Sequence, residues 1–403
     1  MNPGSMQTEA LATHASPAPP PQLARRGVRR LTLADFRSYA SLDMEILAQT
    51  VVLTGDNGAG KTNVLEALSL LTPGRGLRRA ELSNCARNSG GGGFAVSIEI
   101  DAEGGRLQLG TGVEPNGGAA PARKFRIDRE PAPSIRAFCD HIRVVWLTPA
   151  MDGLFVGSPG DRRRFLDRLV LSLDADHGAR VSALERALRS RNRLLEERGG
   201  GNERLWLDAV EREVAELAIA VAAARFETVS KLAALIAQAG PETEGGFPLA
   251  ELSLDGDIDR LIETRPALEA EDEYRKILRD NRARDASAGR TLIGPQSSDL
   301  AVRHARKQAA ASHSSTGEQK ALLVGLILAQ ARLIKAMSGL APLVLLDEIA
   351  AHFDPKRRAA LYELLGALGA QVWLTGADPS AFAELKGKAQ MLQVTPGAIR
   401  ELH

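Results

Sequence analysis

Apolar positions along the chain change their spacing several times, and each change marks a different kind of element. Between Val28 and Leu33 they alternate with polar ones, the period of a strand with one buried face. The pattern breaks at Asp35-Phe36-Arg37-Ser38-Tyr39 and resumes from Leu42 to Ile46. Val51-Val52-Leu53-Thr54 is instead a continuous apolar run, which predicts a strand covered on both faces. It leads into a glycine-rich loop and a helix from about Lys61 to Leu71. Beyond the Gly90 to Gly93 loop, Phe94 to Ile100, Arg106 to Gly110 and Lys124 to Ile127 read as antiparallel strands separated by Gly-, Asn- and Pro-rich turns.

From Asp161 to about Asp285 the spacing shifts to three and four residues. Trp206, Val210, Val214, Leu217, Val221, Val229, Leu232 and Ile236 then fall on one helical stripe. This segment predicts packed antiparallel helices. It is too short, and too broken by Gly199-Gly200-Gly201, for a long coiled coil. Strand-and-helix patterning returns from Thr291, with Leu343 to Leu346 and Val372 to Leu374 as two further buried strands. The chain therefore leaves an α/β core and comes back to it. The expected fold is a mixed-sheet core with an antiparallel β subdomain and an inserted all-helical arm. Its predicted parts are a Pro- and Ala-rich tail (1–24), a first core segment (25–155), the arm (156–285) and a second core segment (286–403).

Gly55-Asp56-Asn57-Gly58-Ala59-Gly60-Lys61-Thr62 matches GxxxxGK[ST] at every fixed position, between a strand and a helix. Its glycines let successive N–H groups curl around one anion, and the helix N-terminus adds partial positive charge. Lys61 would reach the β- and γ-phosphates of ATP, and the Thr62 hydroxyl is a hard ligand for Mg²⁺. Asn63, next on the helix, joins this nucleotide-binding set. The buried strand Leu343 to Leu346 delivers Asp347-Glu348 at its end. In an α/β ATPase that edge carries the metal and water chemistry, so Asp347 would hold Mg²⁺ and Glu348 would polarise the attacking water. A P-loop kinase for small molecules would share both motifs.

Ser315-Thr316-Gly317-Glu318-Gln319 opens a strong helix and precedes Asp347 by about thirty residues. It resembles the ABC signature in the form found in SMC and RecF heads, with Glu318 where many relatives carry Gln. Ser315 and Gly317 would then face the γ-phosphate held by a second subunit. Ser-Thr before a helix is also an ordinary N-cap. Ile349 to Asp354 looks like the D-loop that follows. Asp354 would either cap the next helix or cross the dimer interface, and His352 reads as structural.

Further segments resemble the RecF family in particular. Asp35-Phe36-Arg37-Ser38-Tyr39 is similar to its N-terminal element, which implies that Arg37 lies near the nucleotide. Leu147-Thr148-Pro149, Gly157-Ser158-Pro159 with Arg162-Arg163-Arg164-Phe165-Leu166-Asp167, and Gly294-Pro295-Gln296-Ser297-Ser298-Asp299-Leu300 follow in the family's order. The resemblance runs from about Val28 to the end. It implies an ABC-type P-loop ATPase head that dimerises on ATP, binds double-stranded and gapped DNA, and hydrolyses ATP weakly. It also implies action with RecO and RecR to place RecA at single-strand gaps, in replication restart and the SOS response. Departures exist. No Gln stands between Val145 and Asp152, Gln296 replaces a common His, and Thr375 stands where many ABC ATPases carry the switch His. Thr375 could reach a γ-phosphate through its hydroxyl.

Composition narrows the partners. The 403 residues carry a formal net charge of +1, so any DNA site must be a local patch. Arg75, Arg78 and Arg79, Arg162 to Arg164, and Arg189, Arg191 and Arg193 are candidate clusters, with a solvated helix face as the plain alternative. Aromatics make up only 4%, which argues against base stacking on single strands. Cys85 and Cys139 stand apart from any CxxC pair, so neither a disulfide framework nor a zinc site is expected. The longest apolar run, Ala321 to Ile334, is interrupted by Gln330 and Arg332 and reads as a buried helix, not a membrane span. A cytoplasmic protein is expected. The rival readings are an SMC-type structural DNA clamp, which needs a much longer coiled-coil arm, and a transporter ATPase subunit, which needs the missing Q-loop and switch His.

Overall fold

The computed structural model describes residues 27–102, 105–115, 122–197, 203–238, 247–349 and 353–402. The predicted tail, the Gly199-Gly200-Gly201 break and the Ala350-Ala351-His352 part of the D-loop segment lie outside them.

Strands β1 (Val28–Phe36) and β2 (Tyr39–Glu45) form a hairpin, and β3 (Thr50–Thr54) enters the core ahead of helix α1 (Lys61–Ser69). Then come β4 (Phe94–Ala102), β5 (Gly105–Val113), β6 (Arg123–Ile127) and the short β7 (Glu130–Pro131), followed by β8 (Val144–Leu147). The arm contributes α2 (Pro159–Leu173), α3 (His177–Glu196), α4 (Glu203–Gln238), β9 (Ala250–Asp255), α5 (Asp257–Thr264), α6 (Ala267–Asp280) and α7 (Arg282–Ala288). The chain closes with β10 (Asp299–His304), β11 (Ala309–Ala310), α8 (Thr316–Ser338), β12 (Leu343–Leu346), α9 (Pro355–Ala367), β13 (Val372–Gly376), β14 (Gln390–Thr395) and β15 (Ala398–Glu401).

One sheet is antiparallel, in the order β2-β1-β4-β5-β6-β7. The central sheet runs β15-β14-β3-β13-β12-β8, with all neighbours parallel except the terminal β14–β15 pair. Strands β3, β12 and β13 are buried on both faces, as their continuous apolar runs predicted. Val52, Val344, Leu346 and Leu374 face the core shared with α8 and α9, whereas Val51, Leu53, Leu345 and Trp373 face α1 and the antiparallel sheet. Parallel pairing sets β13 between β3 and β12, with Thr375 opposite Leu53 and Leu346 opposite both Leu374 and Leu147. The loops after β3, β12, β13 and β8 therefore leave from one edge of the sheet. Ligands bind at that edge in α/β folds.

The insertion differs from its reading in two respects. It is not helical throughout, because β9 pairs antiparallel with β10 over Ala250–Asp255. Its partner lies more than forty residues away, so no local pattern announced it. On α4 the buried stripe uses Leu207, Val214, Ala218 and Val221, while Trp206 is 64% exposed. The helix is thus rotated by about one residue at its start from the face predicted. Helix α8 runs over 23 residues, well past the apolar run read at Ala321 to Ile334. By length and composition it is the one described helix suited to a bilayer, but most of it is packed inside the larger core.

Candidate nucleotide-binding site

The loop after β3 is shaped by what presses on it. A Cβ at Gly55 would sit 2.2 Å from the Val394 carbonyl oxygen, and one at Gly60 would meet Ser38 Oγ at 2.8 Å and the Tyr39 hydroxyl at 2.9 Å. Gly55, Gly58 and Gly60 all have positive φ, a region open to glycine at little steric cost. The Tyr39 hydroxyl donates to the Gly60 carbonyl at 3.2 Å, so the Arg37-Ser38-Tyr39 turn braces the loop from outside. Lys61 is almost fully buried, and its Nζ donates to the carbonyls of Gly55 and Asp56 at 2.7 and 2.9 Å. Its ammonium therefore lies inside the curl of the loop, where an anion would be met by charge and by the helix N-terminus together.

Thr62 points to the carboxylates. Its Oγ1 is 3.0 Å from each oxygen of Asp347, which lies just beyond β12. Thr375 Oγ1 donates to Asp347 Oδ1 at 2.7 Å and accepts the Glu348 N–H at 2.9 Å. Burial pushes the Asp347 carboxyl above its ordinary range, against the pull of the Thr375 and Thr62 hydroxyls. Glu348 has φ +53°, a left-handed conformation that is uncommon for a residue with a side chain and gathers at functional sites. A hydroxyl and a buried carboxylate converging on one point are the hard oxygen donors a divalent cation requires.

The remaining predicted residues serve the frame of the site. Arg37 has φ +52° and places Nε and Nη2 on Glu66 of α1 at 2.8 and 2.5 Å. Its charge is thus matched by the helix, with Nη1 on the Asn84 carbonyl. Arg78 meets the same buried carboxylate and also Asn63, whose amide nitrogen donates to Ser38. Asn63 accordingly ties the helix to the bracing turn. Sequence reading missed Glu66, although a carboxylate on the inner face of an otherwise apolar helix is its one visible signal.

Ser315 and Gly317 stand apart. Neither bonds to the phosphate loop among the described residues. Ser315 caps α8 in a reciprocal box with Glu318 and is exposed. Lys307 reaches Glu318 at 2.7 Å and, with the Ser315 bonds, holds its carboxyl down at about 2. A Cβ added to Gly317 would find nothing closer than Arg357 Nη1 at 3.9 Å, so open space lies in front of this helix end. Asp354 accepts the Arg357 N–H at 3.0 Å as the cap of α9. In the stretch after β8, Asp152 pairs with Lys320 of α8 at 3.0 Å, a link no motif suggested.

Several arginines read as possible DNA contacts are spent internally. Arg191 is fully buried and paired with Glu211 and Asp285, so it cannot meet a phosphate backbone. Arg162 forms a two-pronged bond to Asp299 at 2.8 and 2.7 Å, and Arg163 donates to the Ser298 carbonyl. The Arg162 to Asp167 and Gly294 to Leu300 motifs are therefore two halves of one clasp between α2 and β10, and Arg225 of α4 closes it on Asp167 and the Pro295 carbonyl. Replacing Arg162 with Ala should cost about 1–2 kcal/mol, since the pair is charged and only partly exposed. Urea unfolding of the variant would show it. Arg75, Arg79, Arg189 and Arg193 remain exposed.

Residues 27–399 match the RecF/RecN/SMC N-terminal domain family. A protein of Agrobacterium fabrum named DNA replication and repair protein RecF is 53% identical over 92% of this chain and 97% of its own length. One of the same name from Mesorhizobium japonicum is 50% identical over 93% and 98%. The chain belongs to the RecF family. Its fold agrees with a solved RecF bound to ATPrS, described as a recombination mediator of the RecFOR pathway, with TM-score 0.82 at 19% identity over 94% of this chain and 99% of that one. A second RecF structure, with ATP, gives 0.78, and an Smc head from Pyrococcus furiosus gives 0.50 at 13% identity. The architecture is that of the SMC-like ATP-binding heads, with a largely helical insertion.

Proposed function

We propose that this family member is an ATP-dependent DNA-binding repair protein whose two copies close around ATP. One observation carries the reading. The chain builds a complete phosphate cradle and carboxylate pair, yet leaves Ser315 exposed, with open space before Gly317, and neither is bonded to them among the described residues. A second copy supplies the missing half, as the order of motifs implies. The loop amides and Lys61 would hold the phosphates. Thr62 and Asp347 would hold Mg²⁺, which when bound neutralises phosphate charge. Glu348 would orient a water and take its proton. Ser315 and the α8 N-terminus of the other copy would meet the γ-phosphate.

The names of the relatives support DNA repair as the setting; within it, double-stranded and gapped DNA, RecO, RecR and RecA are the proposed partners. Exposed Arg75, Arg79, Arg189 and Arg193 are available for backbone phosphates. Slow hydrolysis would act as a release timer. A rod-like SMC clamp is less well supported, because α3 and α4 reach only 20 and 36 residues.

The test is to incubate the protein with gapped duplex, with and without ATP, and measure size and retention. ATP should produce a dimer held on DNA. Ser315→Arg should still bind nucleotide as a monomer but lose at least about tenfold in dimer formation, because a bulky cation blocks the closing surface. A protein that stays monomeric and unretained at every ATP concentration rejects the reading.

A further inference from the structure

Thr375 occupies the position where a γ-phosphate contact was expected, but its hydroxyl is already committed. A threonine hydroxyl has one proton and two acceptor lone pairs. The proton goes to Asp347 Oδ1 at 2.7 Å, and one lone pair takes the Glu348 N–H at 2.9 Å. What remains is an acceptor, and a phosphate oxygen is an acceptor too, so the two cannot bond. The side chain is also held in place. Thr375 is 1% exposed and lies on a strand paired to β3, and a Cβ on the next residue, Gly376, would come within 2.6 Å of the Phe382 ring. Branching at Cβ further restricts its rotamer.

Two features of the carboxylates depend on this hydroxyl. β12 ends at Leu346, and the Asp347 N–H is taken by the Leu147 carbonyl of β8. The Glu348 N–H comes next, outside the strand ladder and in a left-handed residue, and Thr375 is what satisfies it. The Asp347 carboxylate in turn is shared between Thr375 on one side and Thr62 on the other.

We infer that Thr375 is a positioning residue for both carboxylates: it aims Asp347 at the cation site and anchors the strained backbone of Glu348, and it does not sense the γ-phosphate. The inference rests on the reading that Thr62 and Asp347 hold a divalent cation beside a nucleotide. The role of the side chain is exerted inside its own head, on groups that a nucleotide reaches only through them.

Thr375→Val keeps the shape and removes the hydroxyl, whereas Thr375→Ser keeps the hydroxyl. Two measurements on the full chain decide. Amide exchange in the nucleotide-free protein, followed in peptides covering Asp347 to Ile349, should speed up about tenfold in Thr375→Val and stay near wild type in Thr375→Ser. ADP binding titrated with Mg²⁺ should show half-saturation shifted about tenfold to higher Mg²⁺ in Thr375→Val, with Mg²⁺-free ADP affinity unchanged within about threefold. ADP has no γ-phosphate, so a residue acting as a γ-phosphate contact would leave this titration untouched. Wild-type exchange together with wild-type Mg²⁺ half-saturation in Thr375→Val overturns the inference. If the wild-type protein itself binds ADP with no dependence on Mg²⁺, the cation-site reading falls instead, and the exchange measurement, which needs no ligand, still decides for or against Thr375. Should Thr375→Val fail to fold, Thr375→Ala tests the same loss with less bulk.

Discussion

Replacing Lys61 with Ala is expected to weaken nucleotide binding by roughly 100- to 1,000-fold, the size of effect seen when one partner of a buried charged contact is truncated. Lys61 is 4% exposed and sits within the loop, bonded to the Gly55 and Asp56 carbonyls. Those bonds hold the ammonium where the phosphates would arrive. Loss of the side chain removes both the charge and the brace. Arginine is not expected to substitute, because its planar fork cannot act as the compact point charge of an ammonium. Folding should survive, since the same bonds are made to carbonyls that water can reach once the lysine is gone. Fluorescent-nucleotide titration beside far-ultraviolet circular dichroism separates the two outcomes. Affinity within about threefold of wild type, with the fold intact, would sink the assignment of the phosphate site.

A second large effect is expected far from the nucleotide. Arg191 on α3 donates to Glu211 of α4 at 3.0 Å, to Asp285 of α7 and Thr291 at 2.7 Å, and to the Leu278 carbonyl of α6 at 2.7 Å. One fully buried guanidinium thus joins four helices. Arg191→Met keeps the bulk and leaves the buried Asp285 carboxylate without its cation. The cost should be about 3–5 kcal/mol, the range for breaking a buried ion pair from one side. Glu211 is partly protected, since Arg282 also reaches it. Adding Asp285→Asn should recover part of the loss by removing the stranded charge. Arg189→Ala, two residues away and exposed, should change stability by less than about 0.5 kcal/mol. Urea denaturation of these variants checks all three values, and equal costs for Arg191 and Arg189 would contradict the buried hub.

That contrast shows where sequence reading reaches its limit. Arg189, Arg191 and Arg193 look alike along the helix, and the residue type gives no hint that the middle one turns inward. Nor did the pattern show Trp206 facing out, since three- and four-residue steps accept several neighbouring faces as a stripe. The strand β9 escaped notice because its justification is β10, beyond three intervening helices. Resemblance implies that Arg37 lies near the nucleotide, but no pattern in the sequence shows that its guanidinium grips Glu66 of α1.

The sequence by itself determined what depends on neighbours along the chain. The glycine cradle of Gly55 to Thr62, the apolar strands that end at Thr54 and Leu346, and the Ser315 cap of α8 are each decided within a few residues, by backbone freedom, burial on two faces and an orphaned helix N–H. Only the tertiary structure decided which of these meet. Parallel pairing of β13 between β3 and β12 brings Thr62, Asp347 and Thr375 within hydrogen-bonding distance across hundreds of residues of sequence. The same packing leaves Ser315 outside. Such meetings are set by the burial of distant surfaces against one another, and a linear pattern carries no record of that.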